Sequence, residues 1–178
     1  DGWEKLLKHL GKTQADDEPL SIATIIDSNG LDDALWCLQA VEGHDKEIRL
    51  YAVWCARQVQ HLMTDKRSLD ALDTAERYAN GEAAQDELEA DRDAARDAWA
   101  AVRDVVRPAG SAGAAARYAA ANAAAYAADA AAWAAAWYAA RAAAWAVTRS
   151  AAGAYATEAA AWANQEAELR RICEEVEG

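Results

Sequence analysis

Phenylalanine is absent from this chain of 178 residues, methionine occurs once and proline twice. Large apolar contacts therefore fall to eight Trp, six Tyr and the aliphatic residues. There is no nucleophile elbow, phosphate loop, zinc-ligand spacing or Rossmann fingerprint. Read by themselves, the residues name no reaction, and a non-enzymatic protein without cofactor or metal is expected. The three cysteines, Cys37, Cys55 and Cys173, are odd in number and lack a CxxC spacing, which fits reduced core residues of an intracellular, cytoplasmic protein. Long uncharged apolar runs are missing too. Arg117, Asp129 and Arg141 interrupt the alanine-rich part, so no transmembrane span is expected. Asp1 to Leu10 carry charge at positions 1, 4, 5 and 8, unlike a signal peptide.

Positive charge is scarce as well. The formal net charge is −12, and residues 1–107 hold 23 acidic against 13 basic groups. Such a surface repels nucleic acid and acidic membranes and attracts a partner with a basic surface, so direct nucleic-acid binding is not expected.

What is abundant is alanine. It fills more than half of the positions from Ala112 to Ala163, and because it loses no rotamer freedom it is the best helix former. Two helices so lined can approach at about 8 Å between axes. Placed at 100° per residue, Tyr118, Tyr126, Trp133 and Trp137 share a face, as do Tyr155, Trp162, Leu169 and Val176. Ser150 and Gly153 fall in the gap between Trp145 and Tyr155, and Gly commonly marks a helix end. The pattern predicts helices over 113–149 and 154–176 paired as an antiparallel hairpin, with one helix kinked near Gly153 as the rival. Tyr138 and Trp145 point away from the main aromatic face and must touch something else, the N-terminal half or another chain.

The first part reads as a bundle of short helices. Trp3, Leu6, Leu7 and Leu10 recur at helical spacing over residues 2–10, stopped by Gly11. Ser21 can cap a helix through Asp27 that buries Ile22, Ile25 and Ile26, with Asn29-Gly30 as a left-handed end. Asp32 and Asp33 suit the first turn of the next helix. Helices over 31–41 and 45–63 share an A-x-W-C-x-x-x-V pattern, with Asp45 capping the second. Thr64 or Asp65 can cap a helix carrying Leu69, Leu72, Ala75 and Tyr78, ended by Asn80-Gly81. A helix over 83–106 follows, closed by Pro108 and Gly110. The fold class expected is all-α: an acidic bundle over 1–107, then a long alanine-rich hairpin over 112–178 packed on it.

The helix over 83–106 has an apolar seam of Leu88, Ala95, Trp99, Val102 and Val106, flanked by Arg92, Arg96 and Arg103. On the far side Asp86, Asp93, Asp97 and Asp104 lie within about 40° of one line, over about 27 Å of helix. A row of carboxylates can imitate a nucleic-acid backbone or dock on the basic groove of a nuclease. The plainer account is a solvated face that keeps an alanine-rich protein soluble. His44, beside Asp45, and His61 are the weak hint of a metal, short of the separated ligands a hydrolase needs. The Trp and Tyr set could form a ligand cage, although at helical spacing such residues are more often core.

Several segments also carry a resemblance. Ala34 to Leu38, Gly43 to Ala52, Cys55 to Arg57, Arg67 to Leu72 and Ala75 to Ala83 resemble bacterial and phage-borne immunity proteins, and the Ala/Trp/Arg-rich second half is similar to theirs. The resemblance implies an all-helical, non-enzymatic protein that acts by binding another protein. The expected function is thus an immunity or inhibitor module that covers a basic surface of a toxin or defence nuclease. Asp86, Asp93, Asp97, Asp104, Tyr138 and Trp145 are the partner-binding candidates. The alternatives are an anti-CRISPR-like, nucleic-acid-mimicking counter-defence protein of a phage, or a structural module that self-associates through Tyr138 and Trp145.

Overall fold

In the computed structural model the backbone is described for residues 1–109, 112–129, 131–150 and 154–177, and the side chains for these except 105–109, 154–157 and 177. Among the described residues the regular structure is nine α-helices and two 3-10 turns, with no strand, so the chain is all-α. The helices are α1 (Gly2–Leu10), α2 (Ile22–Asn29), α3 (Leu31–Cys37), α4 (Asp45–Arg57), α5 (Lys66–Ala79), α6 (Gln85–Ala109), α7 (Ala112–Ala127), α8 (Ala132–Ser150) and α9 (Ala154–Glu177).

Local capping explains most of the early boundaries. Asp1 and Glu4 form a reciprocal capping box on α1, and Gly11 ends it at φ 66°. The Ser21 hydroxyl accepts from the Thr24 N–H at 3.1 Å to start α2, and Asp65 accepts from the Arg67 N–H at 3.0 Å to start α5. Gly30 departs from the expected left-handed cap: its φ of 94° is paired with ψ 175°. The same residue both ends α2, donating to the Ile26 carbonyl, and starts α3, its carbonyl accepting from Ala34. Asp45 is not the cap of α4. That position is His44, and Asp45 sits in the first turn with Glu47, where a carboxylate still favours the positive end of the helix dipole.

The A-x-W-C-x-x-x-V match does not yield two equal helices. Ala34 and Ala52 are both fully buried, but Trp36 is 55% exposed while Trp54 is partly buried. Both helices are shorter than expected, because Leu38–Ala40 and Gln60–Leu62 tighten into 3-10 turns after them. In the other direction, α6 runs through Pro108 to Ala109 rather than stopping near 106. Gly110 lies outside the described residues.

The largest correction falls in the alanine-rich part. The helix expected over 113–149 is broken near Asp129 into α7 and α8, which share the most extensive helix contact among the described residues. The Tyr126 and Tyr138 ring centroids lie 4.8 Å apart, where a continuous helix would separate those residues by about 18 Å along its axis. The chain therefore folds back near Asp129, and the pairing of 113–149 with 154–176 is replaced by α7 against α8, with α9 beside them. Tyr118 and Tyr126 consequently belong to a different helix from Trp133 and Trp137. Gly153 and the Tyr155 side chain fall outside the described part. Of the remaining face on α9, Leu169 is buried, Trp162 partly buried and Val176 exposed.

A physical reason for the break is visible in what meets it. Arg49 of α4 is almost wholly buried, and its guanidinium donates to the Asp129 carbonyl, just beyond the last turn of α7. The carbonyl end of a helix carries partial negative charge, so a buried cation there is stabilised and the free carbonyl is satisfied together. The Asp129 carboxylate also meets Arg96 of α6 at 3.1 Å. Three elements thus converge on the turn.

The core is one continuous cluster. Leu35, Tyr51, Cys55, Val59 and Leu72 of the first part meet Ala120, Ala123, Ala124, Ala136, Ala139 and Ala143 of α7 and α8. Gln165, buried on α9, ties this together: its side-chain Nε2 donates to the Ala140 carbonyl at 3.0 Å, and its backbone carbonyl accepts from the Tyr51 hydroxyl at 3.3 Å.

Candidate functional site

Helix α6 has two faces because its apolar residues recur at helical spacing. Leu88, Ala95 and Ala98 are buried, turned toward α5 and α7, while Asp86, Asp93, Asp97 and Asp104 are exposed. At 1.5 Å per residue the row spans about 27 Å. Its charge is partly answered locally. Asp93 meets the mostly buried Arg92 at 3.1 Å and Asp104 meets the exposed Arg103 at 3.4 Å, both between adjacent residues. Asp86 accepts from the Glu87 N–H at 3.1 Å, at the positive end of the helix. Asp97 forms no ion pair among the described residues, but its field is felt by Arg67, whose guanidinium is held above its usual range chiefly by the bond to Asp65. The inner side uses its acids differently: Asp91 accepts from the Thr74 hydroxyl at 2.6 Å, fastening α6 to α5.

Tyr138 and Trp145 stand on α8, away from that row. Tyr138 is half exposed and rests on Tyr126 and on Trp137, at 4.8 and 5.1 Å between centroids. Trp145 is 58% exposed, with the Arg149 guanidinium 5.2 Å from its ring centroid. Both line a cleft of about 510 Å³ that Trp99 of α6, Tyr118 of α7 and Trp162 of α9 also border. Trp99 is two residues after Asp97, hence about 200° around the helix. The structure therefore separates the six candidates into an acidic face of α6 and an aromatic cleft behind it.

Among the described residues no three His, Cys, Asp or Glu side chains group as metal ligands. His44 approaches only Glu47, at 3.7 Å, and His61 is exposed. Among the described residues no disulfide joins the three cysteines, and burial pushes the Cys55 thiol far above its usual value of 9.0. An uncharged, enclosed thiol is inert.

Two polar junctions escaped the reading of the sequence. One is the Arg49–Asp129–Arg96 convergence. The other is Asp32, expected only to favour a helix dipole, which accepts from the Arg141 guanidinium at 2.6 Å and from the Trp137 indole N–H at 3.3 Å. Both join residues 80 or more positions apart in sequence, except for the Arg96 pair at 33, so no local pattern announces them. Among the described residues no helix is long and apolar enough to cross a membrane. No family model, curated protein or solved structure matches the chain.

Proposed function

We propose that this chain is a non-enzymatic protein-binding module of immunity or inhibitor type, which covers a basic surface of a toxin or defence nuclease with the outer face of α6. The observation that supports the reading is the row Asp86, Asp93, Asp97 and Asp104, all exposed along one rigid helix. A helix holds charges at fixed separations, so complementarity to a basic groove comes without ordering a loop on binding. The excess of acid in residues 1–107 supplies the longer-range attraction, which is screened beyond about 8 Å at physiological salt. The resemblance of residues 34–83 to immunity proteins supports the same class of partner.

The test is capture of a basic bacterial protein on the immobilised chain, followed by kinetics across ionic strength. Replacing the four aspartates by asparagine lowers the association rate by about tenfold at low salt and flattens its salt dependence. Thermal unfolding stays unchanged, because the four side chains are exposed. Capture of no salt-dependent partner, or full binding by the neutralised variant, refutes the reading.

A further inference from the structure

The aromatic cleft has a chemistry of its own, independent of the acidic row. Trp99 meets Tyr118 at 5.6 Å and Tyr126 at 6.5 Å between centroids, with the ring planes inclined by 41° and 46°. Rings so inclined form a curved wall, not the parallel slot that would grip a flat group. Trp145 and Trp162 border the same space, and Trp145 is open to solvent. Aromatic faces carry negative potential and attract cations lying within about 6 Å of the ring centre. This cleft already demonstrates the attraction at its edge, where Arg149 lies over Trp145.

The polar atoms of the lining point the same way. Glu158 contributes a carboxylate to the lining. A carboxylate beside aromatic faces favours a positive group. Arg141 also borders the cleft, but its charge is answered by Asp32 at 2.6 Å. A volume of about 510 Å³ holds a rounded head group with a short polar tail.

We propose that this cleft binds a methylated ammonium group, the quaternary nitrogen seated against Trp99, Tyr118, Trp145 and Trp162 with Glu158 as counter-charge.

Choline and 3,3-dimethylbutan-1-ol have the same shape and differ by the charge on the central atom. Titrated into the full chain and followed by tryptophan fluorescence and ligand-observed NMR, choline saturates, and the neutral alcohol binds about tenfold more weakly. Trp145→Leu and Glu158→Gln each remove most of that preference while leaving the unfolding temperature unchanged. Neutralising the four aspartates of α6 leaves it intact, so failure of the partner-binding reading does not decide this one. A peptide carrying trimethyllysine, compared with choline, assigns the head group to a protein side chain or to a free small molecule according to which binds more tightly. Equal binding of choline and the alcohol, no saturation by either cation, or full preference in Trp145→Leu overturns the proposal.

Discussion

Replacing Arg49 by alanine should be among the most damaging changes available in this fold. The residue is 2% exposed, its Nη1 donates to the Asp129 carbonyl at 2.5 Å, and its guanidinium carbon lies 5.2 Å from the Tyr78 ring centroid. Burial holds its pKa below the usual arginine range, and Tyr78, Asp45 and Asp129 oppose that shift. A hydrogen bond from a charged donor is worth about 1.5–3 kcal/mol and a desolvated cation–π contact about 1–2 kcal/mol. Relief of the cation's desolvation offsets part of this, leaving a net loss of about 3 kcal/mol, or about 6–12 °C in Tm for a chain of this length. Asp129→Ala is the control, since it keeps the backbone carbonyl and removes the half-exposed pair with Arg96, worth about 1 kcal/mol or less, together with the weaker field of that carboxylate on Arg49. Arg49→Met falls between them, because it restores the packing of the stem without the charge. Urea unfolding followed by far-UV circular dichroism ranks the three. If Asp129→Ala costs as much as Arg49→Ala, the carboxylate holds the turn and the account of a cation at the end of α7 is wrong.

The alkaline limb of stability follows from two buried acids. Cys55 and Tyr51 are held above their usual values of 9.0 and 10.0, chiefly by burial. As pH rises past about 9 the unfolded chain releases these protons while the folded chain keeps them, so the urea midpoint falls between pH 8 and pH 10.5. Cys55→Ala makes that fall shallower, and an unchanged slope would show that Cys55 does not contribute. Alkylation at pH 8 should modify Cys37 and Cys173 before Cys55, which mass spectrometry finds labelled only in denaturant; early labelling of Cys55 contradicts its burial. Ala136→Leu, at a fully buried site on α8, costs about 1–3 kcal/mol by overpacking, whereas exposed Ala163→Leu stays within about 0.5 kcal/mol. Equal thermal shifts for those two would mean the alanine interface is not close-packed.

Helix existence was legible wherever caps and periodicity agreed. Ser21 and Asp65 cap as their positions suggest, and Gly11 and Gly81 end helices at φ 66° and 75°. Legibility failed at Asp129. In a stretch where neighbours are nearly all alanine, one aspartate costs an isolated helix only a few tenths of a kcal/mol relative to Ala, so local propensity carries the helix straight through. The break is decided by Arg49, 80 residues earlier, and by Arg96, 33 residues earlier. The face drawn through Tyr118, Tyr126, Trp133 and Trp137 inherited that error, because helical phase has no meaning across a turn. The outward orientation of the four aspartates, by contrast, needed only the phase of one uninterrupted helix, and α6 is uninterrupted from Gln85 to Ala109.

The same alanine wall accounts for the cleft. Where α7 and α8 meet through Ala120, Ala124, Ala136, Ala139 and Ala143, no room is left for a ring between them. Bulk must therefore leave the contact at its edges, and Tyr118, Tyr126, Tyr138 and Trp145 emerge together on one border, where Trp99 and Trp162 meet them from α6 and α9. In a chain with larger residues in that interface, the helices would separate and the rings could fill the space between. An aromatic-lined surface is thus a consequence of filling the interface with the smallest side chain that retains a Cβ. It follows that Ala124→Leu or Ala139→Leu, by prising α7 from α8, should disturb the Tyr126–Tyr138 stacking and the near-UV circular dichroism of the rings. If the near-UV spectrum stays native while stability falls, packing of the wall and shape of the cleft are independent, and the link drawn between them is false.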